Sequence, residues 1–171
     1  MQLDSVDVNV DFNGIVIFAY PDLNGFFDKP IAQGQNILQD FTQTDLGDKI
    51  VDAGVVLPII NIDDGSYFVR FFDVEPENSL DREVVFSDSG YVLKVTSELY
   101  VADAAVFWDW EEYLGWRKVS VPCGNYAATV QGVKFTDANH QIARVGYDII
   151  LNETGKLQPR TATIRADSRI G

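Results

Sequence analysis

Residues 108–116 read WDWEEYLGW: three tryptophans and a tyrosine interleaved with Asp109, Glu111 and Glu112 in nine positions. Aromatic faces beside carboxylates can stack on sugar rings, or hold Lys and Arg side chains through cation–π contact plus charge. At a protein interface Trp and Tyr are favoured anchors, while acids supply orientation and association rate. On this pattern Trp110, Tyr113 and Trp116 are candidate anchors, and Asp109, Glu111 and Glu112 the candidate charges, of a partner-binding site. The competing use of the same rings is packing, and at least one tryptophan is expected in the core. If a strand continued through the stretch, Trp108 and Trp110 would share a face and Asp109 would point away from both. Phe26 and Phe27 form a second aromatic pair in a loop rich in Pro and Gly. They read as ring plugs for the end of the fold or as part of a binding loop.

Covalent and metal chemistry find little to work with. Cys123 and His140 are each the single residue of their kind. Spacing leaves a Cys–His pair open, but nothing around Cys123 announces the cationic or dipolar setting that activates a thiol. One Cys and one His give no zinc-ligand spacing, and Asp63-Asp64 lacks the alternating oxygen ligands of a calcium loop. Phosphate-cradling glycine loops, nucleophile elbows and dinucleotide fingerprints are absent from the sequence. Carboxylate pairs such as Asp109 with Glu111 or Glu112 could be chosen for glycoside hydrolysis, but that reaction depends on a spatial separation that spacing does not give. No catalytic residue, metal or cofactor is therefore assigned, and a non-enzymatic protein is expected.

Charge narrows the partner. The chain carries a net −13. Residues 1–117 hold 22 Asp/Glu against 6 Lys/Arg, a balance of −16, and residues 118–171 hold 4 against 7, a balance of +3. Such a body repels phosphate, which argues against direct nucleic-acid binding, and its field speeds encounter with a cationic partner. The same acids would also keep a small β protein soluble and its strand edges unpaired. No apolar run approaches the roughly 18 residues of a membrane span. The first residues, MQLDSVDVNVDF, do not read as a signal peptide. A single cysteine suits a reducing compartment, so a cytoplasmic location is expected.

The elements that must position these residues read as strands. At 46% hydrophobic and 12% aromatic, the 171 residues suffice for one domain, 1–171, with a real core. Val6, Val8, Val10 and Phe12 alternate with polar residues, and Asn13-Gly14 suggests a hairpin to residues 15–20. Residues 55–62 and 67–74 suggest a second hairpin across Asp63-Asp64-Gly65-Ser66. Residues 84–86 and 91–95 suggest a third, across 87–90. Residues 97–107 read as a further strand. Val119 and Val121, followed by Pro122, Gly124 and Tyr126, suggest another hairpin within 117–134. A polar connection then leads to a strand at 145–151, and residues 161–165 read as a last basic strand before a frayed tail. Residues 37–51 alone have helical character, with Asn36 as a possible cap and Gly47 against it. The expected fold is all-β, an antiparallel sandwich or partly closed barrel with at most one short helix near 37–51.

The run Val119, Val121, Pro122, Gly124, Tyr126, with the strand-rich region 55–95 before it, resembles small acidic bacterial inhibitor and immunity-type proteins, the competence-nuclease inhibitor (ComJ-like) family. That resemblance implies a protein that binds and blocks a nuclease or toxin, and it transfers no functional residue. The leading expectation is an acidic binding protein that inhibits a basic protein partner. A carbohydrate-binding or surface or virion sandwich using the same aromatics is the alternative, and a hydrolase of unrecognised type the third.

Overall fold

In the computed structural model, which describes residues 1–170, the chain alternates between two sheets in pairs of strands. The strand β1 (Gln2–Val10) lies in the larger sheet, β2 (Gly14–Tyr20) and β3 (Val56–Ile60) in the smaller, and β4 (Gly65–Phe72) and β5 (Arg82–Val95) in the larger again. Next, β6 (Glu98–Asp103) and β7 (Arg117–Val119) return to the smaller sheet, and β8 (Gly124–Thr136) and β9 (Ile142–Thr154) to the larger. Neighbour order is β1-β4-β9-β8-β5 in one sheet and β3-β2-β6-β7 in the other. All pairs are antiparallel except β4–β9. The expected all-β sandwich is what forms, and neither sheet closes into a barrel.

Three of the expected hairpins are corners between sheets. The strand β1 pairs with β4 rather than β2, and β7 pairs with β6 rather than β8. The chain leaves the smaller sheet after β3 and enters the larger at β4. The physical reason is burial. All seven residues of β2 are buried, so it needs cover on both faces and a partner on each edge, and it takes β3 and β6. Asn13 (φ 60°) and Asn61 (φ 53°) make two of the corners in the left-handed region, where Asn is tolerated, and the Asn13 Nδ2 donates to Asn61 Oδ1 at 2.9 Å. The fourth expected turn, 87–90, is a bulge inside the continuous β5, with Gly90 at φ 90°. The sequential hairpin that does form is β8–β9, across the polar residues 137–141.

Between the sheets lies a core that includes Ile15, Ile17, Val69, Phe71, Tyr147 and Ile149, each fully buried. The outer face of the smaller sheet is covered too. Here the helical character expected over 37–51 resolves into two short helices rather than one, α1 (Leu38–Gln43) and α2 (Leu46–Asp52), joined by a 3-10 turn over Asp22–Phe26 and by α3 (Ala105–Trp108). Gly47 belongs here by packing. A Cβ on it would sit 2.6 Å from Phe41 Cα, so its absence lets α1 and α2 close on each other. Together with residues 109–116 these elements bury Phe18, Tyr20, Tyr100 and Phe107 in a second core.

Among the described residues, 161–170 form no strand and do not fray, and Gly171 of the expected tail lies outside them. Thr161 and Ala162 donate backbone N–H groups to Gly90 O at 3.0 Å each, and the Tyr147 hydroxyl donates to Ser168 O at 2.7 Å. Ile170 is buried in the inter-sheet core. Alternation over 161–165 gave the period of a strand, but no sheet edge accepts it in register; the segment lies across the bulge of β5 and the end of β3 as a strap.

Candidate functional site

The aromatic-acidic stretch does not continue β6. Asp103 ends the strand, its carboxylate accepts the Ala105 N–H at 3.1 Å, and the chain turns into α3. Residues 109–116 then fold back over the smaller sheet. Two backbone bonds bind this return to the loop before α1: Gly34 N to Trp110 O at 2.7 Å and Trp110 N to Gln35 O at 3.1 Å. A third, Ile37 N to Phe107 O at 2.8 Å, ties α3 to the same loop. Tyr113 and Gly115 take left-handed φ values of 68° and 75°, which bring the chain round in time for β7.

This path separates the tryptophans. Trp110 is 1% exposed and Trp116 is buried, whereas Trp108 is 55% exposed. The expected face shared by Trp108 and Trp110 is absent because the strand does not extend that far. Trp116 sits at the centre of an aromatic cluster, with Phe18, Tyr20, Trp110 and Tyr113 at ring-centroid distances of 4.9, 5.0, 5.0 and 5.1 Å. Two of the three expected anchors are therefore core residues. Their indole N–H groups have no protein partner. Leaving one unpaired costs about 1–3 kcal/mol, against roughly 4–6 kcal/mol from burying about 150–250 Å² of ring, so burial wins. Phe26 and Phe27 are partly buried against the same cluster. They plug this end of the fold.

What remains outside is a ridge. Trp108, Tyr113 and Leu114 are all more than half exposed, and Phe12, from the corner between β1 and β2, stands 5.6 Å from Trp108 ring to ring. The spacing pattern missed Trp108, Leu114 and Phe12 as surface residues; the signal available was the apolar run Ala104–Phe107, which buries one side of α3 and turns Trp108 outward. Asp109, Glu111 and Glu112 are exposed along the ridge. Among the described residues none of the three has a Lys or Arg partner within ion-pair distance, although nine other carboxylates do. Glu112 instead accepts the Tyr20 hydroxyl at 2.7 Å. Burial first, and then that bond to a carboxylate, push the Tyr20 pKa above its ordinary value. Tyr100 behaves in the same way beside Glu98, which also accepts Lys118 Nζ at 2.8 Å.

Other candidate chemistry is dispersed. Cys123 precedes β8 and His140 follows it, so roughly 40 Å of strand separates them, at about 3.3 Å per residue. That distance removes the Cys–His pair. Among the described residues no three His, Cys, Asp or Glu side chains are grouped to hold a metal ion. No helix there is long and apolar enough to cross a membrane.

On the far face of the larger sheet, composition gave no warning of a buried ionic cluster. Asp148 is 0% exposed and takes Arg70 Nη2 at 2.6 Å and Arg82 Nη2 at 2.8 Å. The Arg70 guanidinium also lies over the rings of Phe68, Phe72 and Phe135 at 5.0, 5.0 and 4.8 Å. Gln131 Oε1 accepts a hydrogen bond from Arg82 Nη2 at 2.8 Å, and its Nε2 donates one to Glu75 Oε1 at 2.7 Å. The cluster serves as a polar clamp across β4, β9, β8 and β5.

No family model matches the chain, and no curated protein matches it. Among solved structures it is similar to the crystal structure of ComJ, inhibitor of the DNA-degrading activity of NucA, from Bacillus subtilis. Identity is 11% and the TM-score 0.48, over 90% of this chain and 98% of that one. The likeness is weak and at the level of the fold, as the sequence resemblance was, and it carries no residue or partner across.

Proposed function

We propose that the chain is a non-enzymatic, acidic binding protein that caps and blocks a basic protein partner through the ridge around Trp108 and Tyr113. The observation that carries this reading is the company of the free acids. Asp109, Glu111 and Glu112 lie unneutralised beside Trp108, Tyr113 and Leu114, on a body of net −13. Exposed apolar rings bordered by unpaired charge mark an interaction surface, and net negative charge selects a cationic one. Alternating rings and carboxylates also imitate the bases and phosphates of a nucleic-acid strand. A cationic cleft built to hold such a strand, as in a nuclease or a nucleic-acid-directed toxin, is a fitting target. Trp110 and Trp116 act beneath the surface, holding the ridge in shape.

Affinity capture from extract of the source cells tests the reading, with wild-type protein compared with a Trp108→Ala, Tyr113→Ala, Leu114→Ala variant. The expected result is a basic protein retained by the wild type, lost from the variant and released by salt. Retention of the same protein by both, or of an acidic protein only, counts against it.

A further inference from the structure

Beneath α1 and α2, away from the ridge, the second core is incompletely filled. A cavity of about 150 Å³, partly open to solvent beside the exposed Thr42 and Asp48, lies between the two helices and the outer face of the smaller sheet. Leu38, Phe41, Val51, Val56 and Phe107 line it, and Ile164, from the C-terminal strap, completes the wall. The polar groups at hand are two. The Thr42 hydroxyl is already directed to the carbonyls of Leu38 and Gln39, both at 3.4 Å. Asp48 stands at the rim, 71% exposed, with Arg160 of the strap 3.7 Å away.

We propose that this cavity is a binding site for a small apolar molecule of about benzene size, with a neutral or cationic head group rather than a carboxylate. Water gains little against these walls, because it needs two to four polar partners and they offer it almost none, so an apolar molecule displaces it at little cost. Volume sets the upper limit, since drug-sized ligands need clefts of roughly 300–1,000 Å³. The Asp48 carboxylate and the surrounding net negative charge repel an anionic head. An ammonium at the rim competes with Arg160 for Asp48. Wall and rim thus both involve the strap, so occupancy of the cavity is coupled to how the C-terminus sits.

Methyl-resolved NMR titration of the full chain with benzene, benzylamine and benzoate tests the site directly. Benzene is expected to shift the methyls of Leu38, Val51, Val56 and Ile164 along one saturating curve, with a dissociation constant on the order of 1 mM. Methyls of Val69, Ile149 and Leu151, between the sheets, should stay in place. Benzylamine should bind at least about threefold tighter than benzoate. Leu38→Trp, at a half-buried position on α1, should weaken benzene about tenfold or more by filling the space. Absent shifts, shifts spread evenly through both cores, or unchanged affinity in a Leu38→Trp protein of native melting behaviour would overturn the site. Equal binding of benzoate and benzylamine would overturn the head-group preference alone.

Discussion

Trp108 and Trp110 lie two positions apart and do opposite things. Trp110 fills the aromatic cluster, so Trp110→Ala should cost about 3–5 kcal/mol in urea or guanidinium unfolding. Trp108 contributes surface, so Trp108→Ala should change stability by no more than about 0.5 kcal/mol while weakening partner capture. Asp148 makes a third contrast. Replacing it by Asn leaves two guanidinium groups without their counter-ion in a buried place, and Asp148→Asn should cost about 3–5 kcal/mol by the same measurement. The tyrosines beneath the ridge give a pH signature. Burial and neighbouring carboxylates raise Tyr20 and Tyr100 above the ordinary 10.0, so the folded state favours their neutral forms. Their contribution is complete below about pH 10 and is lost as pH rises through the folded-state values. Denaturation midpoints should therefore hold steady up to about pH 9 and fall above about pH 10, with Tyr20→Phe reducing the fall.

At the level of elements, periodicity located the strands well and their partners badly. Alternation from Val6 to Val10 and in residues 67–72 marks real strands, and the unbroken apolar run of β2 marks a central one. Asn13-Gly14, Asp64-Gly65 and Pro122-Cys-Gly124, however, are turn chemistry that serves equally for a hairpin and for a corner between sheets. Which one forms depends on where both faces of β2 find cover, and that cover comes from residues 22–52 and 105–116, remote in sequence. The site was partly legible for the same reason. Its acids and Tyr113 are exposed as expected, but whether a ring is anchor or core was decided by the helical turn at Ala105–Trp108, which no strand period announces. Gly90 shows a long-range demand on a single position. It combines φ 90° with a Cβ position 2.8 Å from Ala162 N, so Gly90→Ala should lift the strap and destabilise by roughly 1–3 kcal/mol. Faster tryptic cleavage at Arg160 and Arg165, with their partners Asp52 and Asp88 released, would register the movement.

Across the whole molecule, charge is sorted rather than spread. The strap carries Arg160, Arg165 and Arg169, each paired to an aspartate of the body, so the basic end neutralises one side of an acidic sandwich. The ridge at residues 108–116 receives no such partner and stays acidic. Rigid support from Trp110 and Trp116 beneath, unpaired carboxylates above and exposed rings between them are the properties of a preorganised, electrostatically steered contact. The most direct measurement is the association rate of the captured partner as a function of ionic strength, for wild type and for Asp109→Lys with Glu111→Lys. At low salt the account predicts an association rate about tenfold lower in the variant, with a flatter salt dependence and an unchanged melting temperature. Identical rates and identical salt slopes in the two proteins would contradict it.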